Sequence, residues 1–292
     1  MLKKFPKAPD EHKPGRPLVP NGLGVIYVIV SVIYLFIVHG LQTWTIEGWD
    51  KPSALTLASC ILFGGFMGLL DDWMDIRWRY KALFPLIAAI PLVVIREGET
   101  TMSTYIFGKM DFGPAYYFII VPLIVTITTN VVNQLGGLNG LETICPSIIL
   151  TGLVITSIIH GRKESTLLYV PILILYLLAY YNFRGKIFVG NIGSFAFGVT
   201  LAAYAIIANI EQTLAISILP YIFNSALIII NIFFLKRRPK LTMNGLTLKA
   251  SHKRSLVTLI AYYYPTTERR IVALIALLFT ISTAAAVIVS IT

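Results

Sequence analysis

Three aspartates, Asp71, Asp72 and Asp75, close a long apolar run, and three cations, Arg77, Arg79 and Lys81, follow at once in the segment DDWMDIRWRYK. On a helix Asp71 and Asp75 share a face, and Asp72 lies one turn from Asp75. Converging carboxylates make a hard-oxygen site suited to Mg²⁺, which takes few protein ligands and keeps waters and phosphates. A carboxylate in such a place can equally serve as a base. The same residues also suit a solvated helix end with local Asp–Arg pairs, and the segment alone leaves these readings open. It does exclude the bilayer interior, where each charge costs about 2.5–3.5 kcal/mol on an insertion scale. The cluster belongs at a membrane surface.

Four further polar clusters punctuate the chain: PDEHKPGRPLVPNGLG (9–24), NVVNQLGGLNGLE (130–142), NFRGKIFVGNIGS (182–194) and LKRRPKLTMNGLTLKASHKRS (235–255). In the second, glycines alternate with apolar and amide residues. Glycine allows positive φ and close approach of backbone to a ligand, while amides can read a base edge or offer a neutral oxygen to a metal; a helix end with a tight turn would need one glycine. The third repeats the style, with Phe188 offering a ring face between Ile187 and the glycine pair Gly190 and Gly193. Lys236, Arg237, Arg238 and Lys240 form a cation group suited to a diphosphate or to anionic lipid headgroups. His252 can be a base, a phosphate contact or neither, and His12 stands similarly.

The elements that must position these clusters are membrane helices. The chain of 292 residues is 56% hydrophobic and 13% charged, far from the quarter charged of a soluble domain. Stretches near the ~20 residues that cross a hydrocarbon core fall at roughly 22–39, 52–70, 82–95, 114–131, 141–159, 164–181, 192–209, 213–235 and 271–291. The predicted fold is therefore an all-α integral membrane protein, a single polytopic domain of about nine transmembrane helices. The N-terminal MLKKFPKAPDEHKPGRP has no apolar core and does not read as a cleavable signal. Cys60 and Cys145 lie inside apolar runs and read as small buried hydrophobes.

Net charge is +10, but its distribution argues against nucleic acid. If loops alternate sides, most of the Lys and Arg fall on the side that carries every polar cluster. By the positive-inside rule that side is cytoplasmic. Clean spans with one polar face suit an enzyme that joins a water-soluble reactant to a lipid-borne one.

These motifs resemble those of the polyprenyl-phosphate N-acetylhexosamine-1-phosphate transferases. DDWMDIRWRYK is similar to that family's aspartate-rich loop, NVVNQLGGLNGLE to its asparagine/glycine loop, FVGNIGS to its metal loop and DEHKPGRPLVPNGLG to its first cytoplasmic loop. Gly136 and Asn139 stand where bacterial members carry Asp, in the style of the eukaryotic and archaeal dolichyl-phosphate GlcNAc-1-phosphotransferases. The likeness runs in order from about residue 9 to 255. It implies transfer of GlcNAc-1-phosphate from UDP-GlcNAc to polyprenyl or dolichyl phosphate, the opening step of lipid-linked glycan assembly for N-glycosylation. It also implies a multi-pass protein facing the cytoplasm across an archaeal plasma membrane, with dimers frequent among relatives.

The roles implied by the resemblance are specific. Asn133 and Asn191 would coordinate Mg²⁺, with Mn²⁺ as a substitute. Lys81 would contact the reacting phosphates, ordered by Asp71 and Asp72. Asn139 and the Gly137 backbone would read uracil while Phe188 stacks on it. Asp10, Glu11, Asn21 and Asn130 would line the nucleotide pocket, and Lys236, Arg237 and His252 would hold diphosphate and sugar.

Two departures qualify the likeness. Position 191 is Asn where the family motif has Asp, and a unit charge pair at 4 Å is worth about 4 kcal/mol at an effective dielectric of 20. That opens an alternative, a catalytically impaired or non-catalytic homologue that binds nucleotide and lipid phosphate. The family norm is also ten spans, the first preceding the DEHKPGRP loop, and that span is absent from this sequence. A membrane prenyltransferase, the other enzyme class with Asp-rich Mg²⁺ loops, would need a second such loop on the same side, which the sequence lacks.

Overall fold

The computed structural model describes residues 4–45, 52–74, 76–104, 108–235 and 241–291. Asp75, Lys236, Arg237, Arg238 and Lys240 lie outside the described residues, so the shared face expected of Asp71 and Asp75 and the cation group are not located.

The architecture is a helical bundle. Its elements are α1 (Gly24–Thr45), α2 (Ser53–Met74), the short α3 (Trp78–Lys81), α4 (Pro85–Ile95), α5 (Val121–Gln134), α6 (Leu141–Ile159), α7 (Tyr169–Phe183), α8 (Gly190–Ile207), α9 (Glu211–Ser217), α10 (Leu219–Ile230), α11 (Leu256–Tyr263) and α12 (Glu268–Ile291). A π-helical turn, Tyr116–Ile120, runs into α5, and a 3-10 turn, Lys163–Leu168, leads into α7. Among the described residues eight helical stretches are long and apolar enough to cross a bilayer, and the pair α9–α10 makes a ninth when taken as one span. The all-α membrane bundle expected from hydropathy is the one observed.

Two spans differ in detail. The run 213–235 is not one straight helix: it bends by 53° between α9 and α10. Ile218 sits at the break and Pro220 opens α10, where a residue without a backbone N–H is tolerated because the first turn has no partner for it. The third span begins earlier than residue 82, because α3 is stacked onto α4 and the apolar stretch runs Trp78–Ile95.

Helix α8 is the pillar of the bundle. Every residue from Ile192 to Ile207 is buried, packed against α1, α2, α4, α5, α6 and α9. Lipid tails are as apolar as leucine, so helices in a bilayer associate through close packing and polar contacts. Both are present. Gly68 of α2 presses on the Asn191 carbonyl oxygen so closely that a Cβ there would collide with it. Tyr27 Oη donates to Thr200 Oγ1 at 2.9 Å and Tyr204 Oη to Ser157 Oγ at 2.6 Å, both buried. Cys60 and Cys145 are buried free thiols, as their settings predicted.

Small sheets that hydropathy did not reveal trim the ends of the bundle. β1 (Lys7–Pro9) pairs antiparallel with β2 (Leu18–Pro20), placing Ala8 opposite Val19. β3 (Thr101–Thr104) pairs with β4 (Gly108–Asp111). β5 (Leu241–Asn244), β6 (Thr247–Ala250) and β7 (Thr266–Thr267) form a three-stranded sheet between α10 and α12. One end of the bundle carries Glu97, which accepts from Ser53 Oγ and Thr56 Oγ1 at 3.1 Å each, and Glu99, whose N–H donates to Asn209 Oδ1 at 2.6 Å. The opposite end gathers the polar motifs.

Candidate functional site

At that second end the chain encloses a cavity of about 350 Å³. Asp10, Glu11, His12 and Asn21 wall it from the N-terminal segment and Asp72 from the end of α2. Gly137, Leu138, Asn139 and Glu142 contribute from the α5–α6 turn; Asn182, Phe188, Gly190 and Asn191 do so from the passage between α7 and α8. Four stretches widely separated in sequence thus share one space.

The two neighbouring aspartates do different work. Asp71, 4% exposed, is ion-paired with Lys81, which folds back from α3. The Lys81 ammonium also lies 5.8 Å from the centre of the Phe195 ring. Asp72 reaches instead to the start of α8, where its carboxylate accepts from the Asn191 N–H at 3.0 Å and the Ile192 N–H at 3.2 Å. The first N–H groups of a helix have no intrahelical partner and carry partial positive charge, so a carboxylate supplied by another helix satisfies both deficits.

The α5–α6 turn depends on backbone that glycine adopts readily, with φ of +89° at Gly137 and +108° at Gly140. Asn182, at the end of α7, ties that turn down. Its Oδ1 accepts from the Gly140 N–H at 2.9 Å and its Nδ2 donates to the Ile187 carbonyl at 2.8 Å. The loop bearing Phe188 is in turn zipped to the N-terminal segment. Phe188 N–H donates to the Pro20 carbonyl at 2.8 Å, and Leu23 N–H donates to the Phe188 carbonyl at 3.1 Å. The Phe188 ring is left half-buried on the cavity wall.

Asn139, 5% exposed, is held from three sides. Its Nδ2 donates to Asp10 Oδ2 and to Glu268 Oε1, each at 2.9 Å, and its backbone N–H donates to the same Glu268 oxygen at 2.7 Å. Asp10 is further paired with Lys13 at 2.9 Å. Asn139 Oδ1 is shielded from water and accepts no hydrogen bond. A buried acceptor left in that state costs about 1–3 kcal/mol, and this one lies 3.4 Å from where a Cβ on Gly185 would stand, a residue that does not wall the cavity.

The pair expected to hold a metal, Asn133 and Asn191, does come together. Asn133 Nδ2 donates to Asn191 Oδ1 at 2.9 Å and to Ser194 Oγ at 2.7 Å. The carboxylates of Asp72 and Glu142 wall the same cavity as Asn191. Glu142 Oε1 lies 2.5 Å from where a Cβ on Gly136 would stand, so the Glu142 side chain fills space that a residue larger than glycine would occupy. Among the described residues no three His, Cys, Asp or Glu side chains are grouped closely enough to hold a metal. The donor set is nevertheless all oxygen, two carboxylates and amide groups, which fits a hard cation that takes few protein ligands.

Other predicted residues are placed elsewhere. Asn130 does not reach the cavity wall: its Nδ2 donates to the carbonyls of Ala82 and Thr126 at 2.9 Å each, so it holds the turn between α3 and α4. His252 is exposed in the turn after β6 and is not among the residues that wall the cavity. Lys236 and Arg237 lie outside the described residues. In return, the structure adds Glu142, Asn182, Ser194 and Glu268. The first three lie inside the quoted motifs. Glu268 lies in none, and its one sequence signal is an acidic residue heading an apolar run.

A polytopic helical bundle with a polar, oxygen-lined cavity at one end defines a membrane-embedded enzyme or binding site at the bilayer boundary. The chain belongs to glycosyl transferase family 4, whose sequence pattern matches residues 54–209. It is similar to a protein of Saccharolobus solfataricus provisionally named UDP-N-acetylglucosamine–dolichyl-phosphate N-acetylglucosaminephosphotransferase, with 31% identity over 219 residues, 73% of this chain and 66% of that one. A Dictyostelium discoideum protein with the same enzyme name is 29% identical over 262 residues, 74% of this chain and 62% of that one. A phospho-N-acetylmuramoyl-pentapeptide-transferase of Streptococcus uberis is 27% identical over 242 residues, 76% of this chain and 69% of that one. The chain spans just under two thirds of the length of the first two relatives. Membership in this family and the apolar helices together make it a multi-pass membrane protein.

Proposed function

We propose that this protein transfers GlcNAc-1-phosphate from UDP-GlcNAc to a polyprenyl phosphate of the dolichyl type. An oxygen of the lipid phosphate attacks the β-phosphorus, the bond from that phosphorus to the bridging oxygen breaks, and UMP leaves with polyprenyl-diphospho-GlcNAc as product. The observation that carries this reading is the convergence of Asp10, Asp72, Asn139, Phe188 and Asn191 on one cavity. Phosphoryl transfer asks a protein mainly for positioning and charge neutralisation.

In this reading Asn139 and the Gly137 backbone receive the base and Phe188 stacks on it. Lys81, positioned by Asp71, faces the lipid phosphate. Asp72, Glu142, Asn133 and Asn191 are the residues that would hold Mg²⁺ or Mn²⁺. When bound, such an ion neutralises charge on the diphosphate and polarises its oxygens. Asn191 supplies no negative charge where family members have Asp, and the carboxylates of Asp72 and Glu142 would make up that deficit. In this reading the site faces the cytoplasm, which the excess of Lys and Arg in the loops on that side supports.

The test uses the purified full chain in detergent with UDP-[³H]GlcNAc, polyprenyl phosphate and Mg²⁺. Labelled lipid together with released UMP is the expected result. Nucleotide binding without turnover would instead support a non-catalytic homologue, the reading that Asn191 motivates.

A further inference from the structure

Between the aspartates of α2 and Lys81 the chain presents alternating cations and aromatic rings that the cavity does not use. Arg77, Trp78, Arg79 and Tyr80 are all exposed, Trp78 and Tyr80 at 63% each, and Trp73 near the end of α2 is 82% exposed. None of them walls the cavity. Neither guanidinium has an acidic partner among the described residues. That of Arg79 lies 6.0 Å from the centre of the Trp78 ring, at the edge of cation–π reach. Helix α2 ends at Met74 and the next apolar stretch opens at Trp78. These side chains therefore stand at a bilayer boundary, the level at which Trp and Tyr concentrate. Further into the span, Leu83 is exposed as well.

Apolar, then aromatic, then cationic is the order that a phospholipid meets when read from its chains to its phosphate. A guanidinium is weakly hydrated and matches phosphate oxygens with a planar fork of donors. We propose that Trp73, Arg77, Trp78, Arg79 and Tyr80 form a docking surface for the headgroup of an anionic phospholipid of the surrounding bilayer. The two arginines supply the charge complement. A zwitterionic headgroup, whose own ammonium offsets its phosphate, is the weaker fit. The bound lipid anchors the segment from whose far end Lys81 folds back to Asp71.

The experiment reads tryptophan quenching by brominated lipids in nanodiscs of phosphatidylcholine. The chain has four tryptophans, so the Trp44→Phe/Trp49→Phe background leaves Trp73 and Trp78 as reporters. Dibrominated phosphatidylglycerol is compared with dibrominated phosphatidylcholine. A cation near an anionic headgroup contributes about fivefold, so phosphatidylglycerol should be preferred beside these rings by at least about fivefold. Arg77→Gln/Arg79→Gln should bring the two lipids to within about twofold of each other, and Arg77→Lys/Arg79→Lys, which keeps both charges, should retain most of the preference. Where the reporter background fails to fold, the quenching lost on going from wild type to Trp73→Phe/Trp78→Phe carries the same expectation. Equal quenching by the two lipids, or a preference that survives the glutamine pair, overturns the proposal. So does recovery of fluorescence when polyprenyl phosphate is added in stoichiometric amount, which would assign the surface to the acceptor lipid.

Discussion

The Asp72 carboxylate and the Asn191 backbone N–H meet at 3.0 Å although 119 positions separate them. This contact makes the end of α2 and the beginning of α8 one structural unit. It also means that Asn191, one of the residues proposed to hold the metal, is held by an aspartate from the other conspicuous motif. A change at either residue is therefore felt at both.

Asp72→Ala removes the only carboxylate seen on the first N–H groups of α8 among the described residues. Loss of a helix cap costs about 1 kcal/mol, and thermal unfolding should register a drop of that order. Asp72→Asn keeps an acceptor and should retain most of the stability. Both should lower sugar-phosphate transfer by at least about tenfold, because a charge has left the cavity. Full transfer by Asp72→Asn would remove Asp72 from the phosphate-neutralising set.

Lys81→Met strands Asp71 as a buried, unpaired carboxylate. Breaking such a pair from one side costs about 3–5 kcal/mol, whereas replacing both partners by apolar groups is often neutral. The double variant Asp71→Leu/Lys81→Met should accordingly recover much of the lost stability yet remain inactive. Chemical denaturation and the transfer assay on the same preparations give the answer. An active double variant would reduce Lys81 to a structural role.

Asn191→Asp adds a carboxylate at a position proposed to hold the metal, without loss of the acceptor that Asn133 Nδ2 uses. The variant should work faster than wild type at limiting Mg²⁺, or reach half-maximal rate at a lower Mg²⁺ concentration. Initial rates across a Mg²⁺ titration decide it, and identical curves would show that position 191 contributes no charge to metal binding.

Gly68→Ala drives a methyl group into the Asn191 carbonyl. Overpacking of this kind costs about 1–3 kcal/mol, and the displaced start of α8 should reduce transfer by more than about tenfold, since small misplacements of reacting groups are expensive. Gly40→Ala in α1, where a Cβ meets nothing within 4 Å, serves as the control and should leave transfer unchanged. Equal behaviour of the two variants would separate helix packing from the site.

The sequence was most legible where charge abuts apolar residues. The spans, the aspartate cluster and the glycine-bearing loops all announce themselves that way, and Asp72, Asn139, Phe188 and Asn191 do share a cavity. What escaped depends on direction and partner. Asp71 and Asp72 are adjacent, but consecutive helical residues point about 100° apart, so one pairs with Lys81 and the other reaches α8. Asn130 lies in the same motif as Asn133, yet the Ala82 carbonyl takes its amide. Glu268 looks in sequence like an ordinary acidic residue in a first helical turn. Asn182 looks like a helix end. Their roles arise from segments more than 40 residues distant, which no local pattern encodes. The bend at Ile218 did have a local sign in Pro220, outweighed in a hydropathy reading by the apolar residues around it.

Helix α8 is sheathed by protein from Ile192 onward, so its tilt and height answer to neighbouring helices and not to the thickness of the surrounding lipid. Peripheral helices such as α1 and α12 must accommodate any mismatch between their apolar length and the host bilayer. Reconstituted into thin or thick membranes, the protein should re-lean its outer helices around a stationary axle, and the chemistry mounted on that axle should keep its dimensions.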